Sequence, residues 1–202
     1  MDNFFQNTMD HLGNTDVYLL DQMMKGRYQQ DDRILDAGCG YGRNIDLFIK
    51  AGFFVSGVDH DPEKIRFCQE KYPSISDHFL LQELSSMSFD DGPFDHIISS
   101  AVFHFSESTE QFKKLFSEHV RVLKRGGTFF IRMNSLFGLP NGTAKSIGKG
   151  RYHLPNYGDR FLITYPLIGE LKETYNLSLL DPVKTVNVAD NRAMSVLMFT
   201  KK

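Results

Sequence analysis

Apolar positions along the first two thirds of the chain switch repeatedly between a short continuous run and a helical spacing. Before the first run, Val17, Leu20, Met23 and Met24 fall on one helical face, with Asn14 or Thr15 placed to cap it and Gly26 near its end. Phe4 and Phe5 precede that helix as a leader of core aromatics or as a flap over a ligand mouth. Ile34 and Leu35 then read as a strand, broken by Gly38, Gly40 and Gly42, and Ile45, Leu47, Phe48 and Ile49 resume a helical pattern. Phe53–Val58 is a second strand, and Asp61-Pro62 starts a helix carrying Ile65, Phe67 and Cys68 that stops before Pro73. Phe79–Gln82 and Phe94–Ser100 are the third and fourth strands. Between Ser108 and Leu123, apolar residues repeat at helical spacing; Lys124 and Arg125 suit the dipole there, and Gly126-Gly127 ends the helix. Thr128–Met133 is the fifth strand. Strand alternating with helix predicts a parallel, doubly wound α/β sheet with right-handed crossovers.

The pattern changes after that. Residues 135–160 hold five glycines and two prolines with no clean period, so they read as an irregular insertion. A helix follows over about 166–175, and two β-rich segments, 183–188 and 194–200, are spaced as a hairpin without an Asn-Gly turn. An antiparallel finish differs from a dinucleotide-binding domain, which would continue as βαβ.

Composition narrows the class without choosing within it. At 202 residues, the chain is most simply one domain, 1–202, with residues 1–31 as an N-terminal helical cap. Net charge of −2 argues against general nucleic-acid binding. Two cysteines make no disulfide framework and suit a reducing compartment. No apolar run approaches membrane-spanning length, and the polar start is no signal peptide, so a cytoplasmic protein with no membrane partner is expected, as monomer or homodimer. The histidines and acids show no zinc-type spacing, so no metal site is expected.

The chemistry concentrates in Asp36-Ala-Gly-Cys-Gly-Tyr-Gly42. Strand, glycine turn and helix open a βαβ unit in which bare backbone can approach a ligand. Asp59, at the end of the second strand and 21 residues beyond Gly38, is placed to accept from both hydroxyls of a ribose. A nucleoside-containing ligand is therefore expected.

These residues resemble the class I S-adenosylmethionine-dependent methyltransferases over nearly all of the chain from about residue 30. Residues 36–42 look like the family's first motif and Gly57-Val-Asp-His-Asp61 its second. Leu84–Asp95 looks like the loop before the fourth strand, and Leu123–Phe129 like the approach to the fifth. Gly42-Arg-Asn44 and the short length are similar to a small-molecule, tellurite-resistance-type or related branch. The resemblance implies a three-layer Rossmann-like methyltransferase fold, with a seven-stranded, mostly parallel sheet ending in an antiparallel hairpin. It implies S-adenosylmethionine as cofactor, S-adenosylhomocysteine as product, and in-line methyl transfer to a small molecule. Its implied cofactor contacts are Asp36, Gly38, Cys39, Gly40, Gly42, Asn44, Asp59, His60, Glu83, Leu84, Ser100 and Ala101. Asp36 either meets the ligand's ammonium group or only orders the turn. Glu83 stands where the family usually carries Asp for the adenine amino group, a departure of one methylene. His104 falls beside the transferable methyl, as a general base or as a shaper of the pocket.

The acceptor is sought in the insertion, 135–160. Between Lys145 and Arg160, four cations face a single acid, Asp159, and Tyr152, His153 and Tyr157 interleave with them. That local field favours an anionic acceptor, with Tyr152 and His153 as candidate contacts. Two other classes fit parts of the pattern: a non-catalytic cofactor-binding or scaffold protein of the same fold, and a nicotinamide-dependent oxidoreductase, which would need a phosphate-binding turn.

Overall fold

A helix that apolar spacing does not announce, α1 (Phe4–Leu12), opens the computed structural model, which describes residues 3–202. Phe4, Phe5 and Met9 on it are exposed, so it exists without a buried face of its own. The chain folds as two compact units, Met1–Leu84 and Ser85–Lys202.

In the first unit, α2 (Val17–Met24) is capped by Asp16, whose carboxylate accepts the Tyr18 N–H at 3.0 Å; Asn14 and Thr15, the expected caps, do not serve. Asp16 is buried, and its own N–H donates to the Asn44 side chain at 3.2 Å. Fixing the helix start there rotates α2 so that Leu19 and Gln22 face inward while Val17 and Met24 are exposed. The apolar face expected from Val17, Leu20, Met23 and Met24 is thus displaced by one residue, about 100° of turn, and Leu20 and Met23 are only half-buried.

Strand β1 (Arg33–Ala37) leads through the glycine turn to a short α3 (Asp46–Lys50), then β2 (Phe54–Asp59), α4 (Pro62–Lys71) and β3 (Phe79–Leu81). β1 pairs parallel with β2, Asp36 opposite Gly57, and β2 pairs parallel with β3. Asp61 caps α4 by accepting the Glu63 N–H at 3.0 Å, and Pro62 sits in its first turn, as the sequence predicts. Ile65 and Cys68 form the buried face of α4, whereas Phe67 is exposed against Tyr41.

In the second unit, β4 (Phe94–Ser100) is followed by α5 (Thr109–Val122), capped by Ser108, and by β5 (Leu123–Ser135), parallel to β4. Here the reading of Gly126-Gly127 as a helix stop is corrected. The strand begins at Leu123, and the register jumps from Phe94–Leu123 to His96–Thr128, so the two glycines lie in a bulge. A Cβ on Gly127 would come within 2.7 Å of the Asp95 carbonyl oxygen. Lys124 turns to the Asp95 carboxylate at 2.6 Å, and Lys201 closes the helix end, donating to the carbonyls of Val120 and Leu123 at 2.7 Å each.

The stretch expected to be irregular contains a small antiparallel sheet: β6 (Lys145–Gly148), β7 (Arg151–Leu154) and β8 (Gly158–Phe161). After α6 (Tyr165–Thr174) come β9 (Leu177–Leu179), β10 (Lys184–Val188) and β11 (Arg192–Lys201). β11 runs antiparallel to β5, β9 and β10. The hairpin expected between β10 and β11 is present. Its turn has positive φ at Ala189 (49°) and Asp190 (56°), a primed turn made without glycine. The Asn187 side chain holds it, accepting the Asp190 N–H at 2.8 Å. Phe103, Phe112, Phe116, Phe129 and Phe199 are fully buried and form the aromatic core of this unit with His119. No helix among the described residues is long and apolar enough to cross a membrane.

Gly57 tests how tightly the first unit is packed. A Cβ there would meet the Phe79 ring at 2.8 Å and the Cys39 sulfur at 3.1 Å, and Phe79 is itself buried and stacked on Tyr72. Gly57→Ala is expected to destabilise the fold by about 1–3 kcal/mol, the range for overpacking. Urea unfolding reads this as a lower midpoint at an unchanged slope. An unmoved midpoint would mean the ring has room to shift.

Candidate functional site

The glycine turn is built from short backbone bonds. Gly38 and Cys39 both donate their N–H to the Val58 carbonyl, at 2.8 and 3.0 Å, so the turn is sewn to the end of β2. Gly42 has φ +74°, and a Cβ on it would lie 3.3 Å from both the Cys68 sulfur and the Tyr72 ring. Glycine is required there on both counts. Cys39 and Cys68 are buried free thiols beneath the turn, and the Cys68 thiol donates to the Gly40 carbonyl at 3.3 Å. A hydrogen bond with Cys68, together with burial, pushes the Cys39 thiol well above its usual range, so it is no nucleophile.

Asp59 is buried at the C-terminal end of β2, where its two oxygens accept from different turns. Oδ2 takes the Gly40 N–H at 2.9 Å and Oδ1 the Asp61 N–H at 3.1 Å. Lys64 lies 3.9 Å away and the exposed His60 3.5 Å. Each carboxylate oxygen has a second acceptor position beyond the one used. The carboxylate is therefore oriented by the backbone and still able to accept two hydroxyls.

Asp36 differs in kind. It is 1% exposed, and neither carboxylate oxygen has a hydrogen-bond partner. Burial pushes its carboxyl up to about 7; the Arg43 charge pulls it down and Asp59 adds to the rise. An orphaned buried carboxylate costs free energy unless a cation or donor meets it. Asn44 is also buried, and its side chain is spent on the Asp16 N–H that anchors α2. Glu83 is exposed and Leu84 buried at the end of this unit.

In the second unit, β4 ends at Ser100, and Ala101 follows with φ 65°, a strained conformation for a residue with a Cβ. It is held by its N–H bond to the Arg132 carbonyl at 2.8 Å. His104, in the helical turn Phe103–Phe105, is buried with Nδ1 unpartnered. Burial, then the charges of Arg160, Arg192 and Arg132, push its imidazole down to about 4. It is therefore neutral at pH 7 and a weak base. Tyr152 and His153 lie on β7; His153 is exposed and bonded to Asp159 at 2.8 Å, with Arg151 3.7 Å from the same carboxylate. The side chains around His104 are instead Arg132, Tyr157, Arg160 and Arg192. Sequence reasoning did not select them as site residues. One signal was present, an arginine inside the apolar strand Thr128–Met133.

Residues 35–131 match a family model described as a methyltransferase domain. The chain is 30% identical over 138 residues to geranyl diphosphate 2-C-methyltransferase of Saccharopolyspora erythraea, covering 64% of this chain and 46% of that protein. It is 33% identical over 98 residues to tRNA (carboxymethyluridine(34)-5-O)-methyltransferase of Arabidopsis thaliana, covering 48% of this chain and 23% of that protein. The chain thus spans about half, or less, of the length of such relatives. A solved SAM-dependent methyltransferase from Methanosarcina mazei shares the fold at a TM-score of 0.69 and 19% identity, covering 89% of this chain and 96% of that one. The Rossmann-like architecture, with parallel strands finished by antiparallel ones, is that of these enzymes. Residues 35–131 are thus similar to a methyltransferase domain, in a fold shared with solved S-adenosylmethionine-dependent methyltransferases.

Proposed function

We propose that the protein transfers a methyl group from S-adenosylmethionine to a small-molecule acceptor. The observation that carries this reading is the buried, unbonded Asp36 carboxylate beside a glycine turn whose following strand ends in Asp59. The donor set fits the group. Asp36 offers an uncompensated carboxylate to the ammonium of the methionyl part, and Asp59 offers one free acceptor position on each oxygen to the ribose hydroxyls. When bound, S-adenosylmethionine supplies an electrophilic methyl group on a sulfonium sulfur for in-line transfer.

The chain's own residues bind and position. Gly38, Cys39, Gly40 and Gly42 present backbone rather than side chain, and Asn44 fixes the far end of the turn through Asp16. His60 flanks Asp59. Glu83 and Leu84 toward the adenine, and Ser100 and Ala101 at the end of β4, remain the contacts that the resemblance implies. Helix α1, with exposed Phe4, Phe5 and Met9, is the N-terminal cap in this reading. Acceleration then comes chiefly from holding the two reactants at near-attack distance, which needs no obligatory base. His104, a weak base at about pH 4, positions the acceptor by hydrogen bonding. The small-molecule choice rests on the net charge of −2 and on the relative that acts on geranyl diphosphate.

Calorimetric titration with S-adenosylmethionine, S-adenosylhomocysteine and NAD decides the class. Binding of the first two and not NAD is expected; preference for NAD, or no binding, would remove the proposal. Binding without turnover across an acceptor panel would favour a non-catalytic role. Asp59→Ala is expected to weaken S-adenosylmethionine by about 1.5–3 kcal/mol with the circular dichroism intact. An unchanged affinity would show that the ribose is held elsewhere.

Asp36 makes the affinity depend on pH. Its carboxyl titrates near 7 in the free chain, so below that pH the neutral acid meets the ammonium and above it the carboxylate does. Affinity should rise as pH increases through about 7, with a proton released on binding and seen as a buffer-dependent enthalpy. Asp36→Asn should flatten this dependence. A wild-type profile already flat between pH 6 and 7.5, values chosen to straddle that midpoint, would contradict the assignment.

A further inference from the structure

The second unit contains a cavity of about 280 Å³ whose charged lining is all of one sign. Arg132 reaches it from β5, Arg160 from β8 and Arg192 from the start of β11, and no aspartate or glutamate lines it. Among the described residues, no carboxylate pairs with Arg160 or Arg192. Two guanidinium groups converging on one cavity without a carboxylate partner are unusual in a chain of net charge −2.

The orientations of Arg160 and Arg192 are set by aromatic faces rather than by acids. The Arg160 guanidinium lies over the Phe105 ring at 5.1 Å, and that of Arg192 over the Tyr157 ring at 4.3 Å. Stacking holds a planar fork in place while leaving its edge donors available. Arg160 spends one of them, Nη1 to the Asp159 carbonyl at 2.7 Å, and the buried Arg192 Nε has no partner at all. The unpartnered Nδ1 of His104 opens on the same space.

The geometry points to this cavity as the anion subsite of the methyl acceptor, taking a small molecule that carries a carboxylate or phosphate group held by Arg160 and Arg192, with Arg132 in the same wall. It rests on the methyltransferase reading for its role, though the binding itself does not depend on that reading. The volume lies at the lower edge of ordinary ligand sites of about 300–1,000 Å³, so the acceptor is compact or enters only in part. The +3 stretch seen in the sequence thereby gains a focus. Arg151 is answered locally by Asp159, and Arg160 carries its charge into the cavity. The three arginines that lower the His104 pKa would be offset by a bound oxyanion, which returns basicity to the imidazole only when the acceptor is present.

The test is calorimetric titration of the full chain, at low ionic strength, with inorganic phosphate and with malonate, each beside a parallel titration with S-adenosylhomocysteine. One saturable site is expected, weakened by about tenfold or more in the Arg160→Gln/Arg192→Gln variant, as loss of charge-assisted forks implies. Lys149→Gln/Arg151→Gln should keep the anion affinity. Phosphate preferred over malonate assigns a phosphate-bearing acceptor, and the reverse assigns a carboxylate. In NMR titrations the His104 midpoint, near pH 4 in the free chain, should move up with the bound anion. Anion binding that survives the double variant, an unmoved His104 midpoint, or no saturable site would overturn the inference. If S-adenosylhomocysteine binds and the anions do not, the methyltransferase reading survives without this subsite. If the anions bind and S-adenosylhomocysteine does not, the acceptor role is overturned together with that reading.

Discussion

Both oxygens of the Asp59 carboxylate accept backbone N–H bonds, one from Gly40 in the glycine turn and one from Asp61 at the head of α4. That pair of bonds couples two loops that a parallel strand pair alone would leave independent. Gly38 and Cys39 add two more ties to the Val58 carbonyl, one residue earlier on the same strand. The turn is thus fixed by the end of β2 as well as by its own Gly42 N–H bond to the Cys39 carbonyl at 2.9 Å. The buried thiols of Cys39 and Cys68 fill the space beneath it, where only a glycine fits at position 42. Charge-assisted bonds in a partly buried place are strong enough to hold such an arrangement before any ligand arrives. In the proposed function, preorganisation of this kind would lower the ordering cost of binding.

Asp36 shows the opposite economy. Its carboxylate has been taken from water and given no donor, an arrangement stable only because the proton can stay on up to about pH 7. Buried groups left so in native proteins tend to mark where function has overridden stability. The first unit therefore holds two buried acids in different surroundings, one bonded to the backbone and one without a donor.

How far the sequence revealed this depended on the range of the interactions involved. The glycine turn and the Asp61-Pro62 helix start were legible because their signals lie within a few residues of the groups they act on, and Asp59 because its spacing from Gly38 is fixed by one strand–helix–strand unit. The rotation of α2 was not, since Asp16 is fixed by Asn44, 28 residues away. The sheet of β6, β7 and β8 escaped notice because its four-residue strands are too short for a period, and positive φ at Gly148, Lys149 and Gly150 reads as loop chemistry. The Gly126-Gly127 bulge was misread as a helix cap for the same local reason: glycine serves both. The cavity arginines come from three strands far apart in the chain, and only the fold brings them together. Asp36 was visible as a residue but not as a state, because its protonation follows from burial.

Lys201 closes α5 from 81 residues beyond the Val120 carbonyl it meets, on the strand that pairs with β5 along eight positions. Contacts of that separation carry a large loop-closure cost and form late. The helix and the inner strand of the second unit can therefore be made early but cannot be locked until β11 arrives. Until then β5 presents an unpaired edge carrying Phe129, Phe130 and Ile131, the kind of surface that seeks another chain. Wherever docking of the last strand is slow, the yield of folded protein would depend on that step rather than on assembly of the glycine turn.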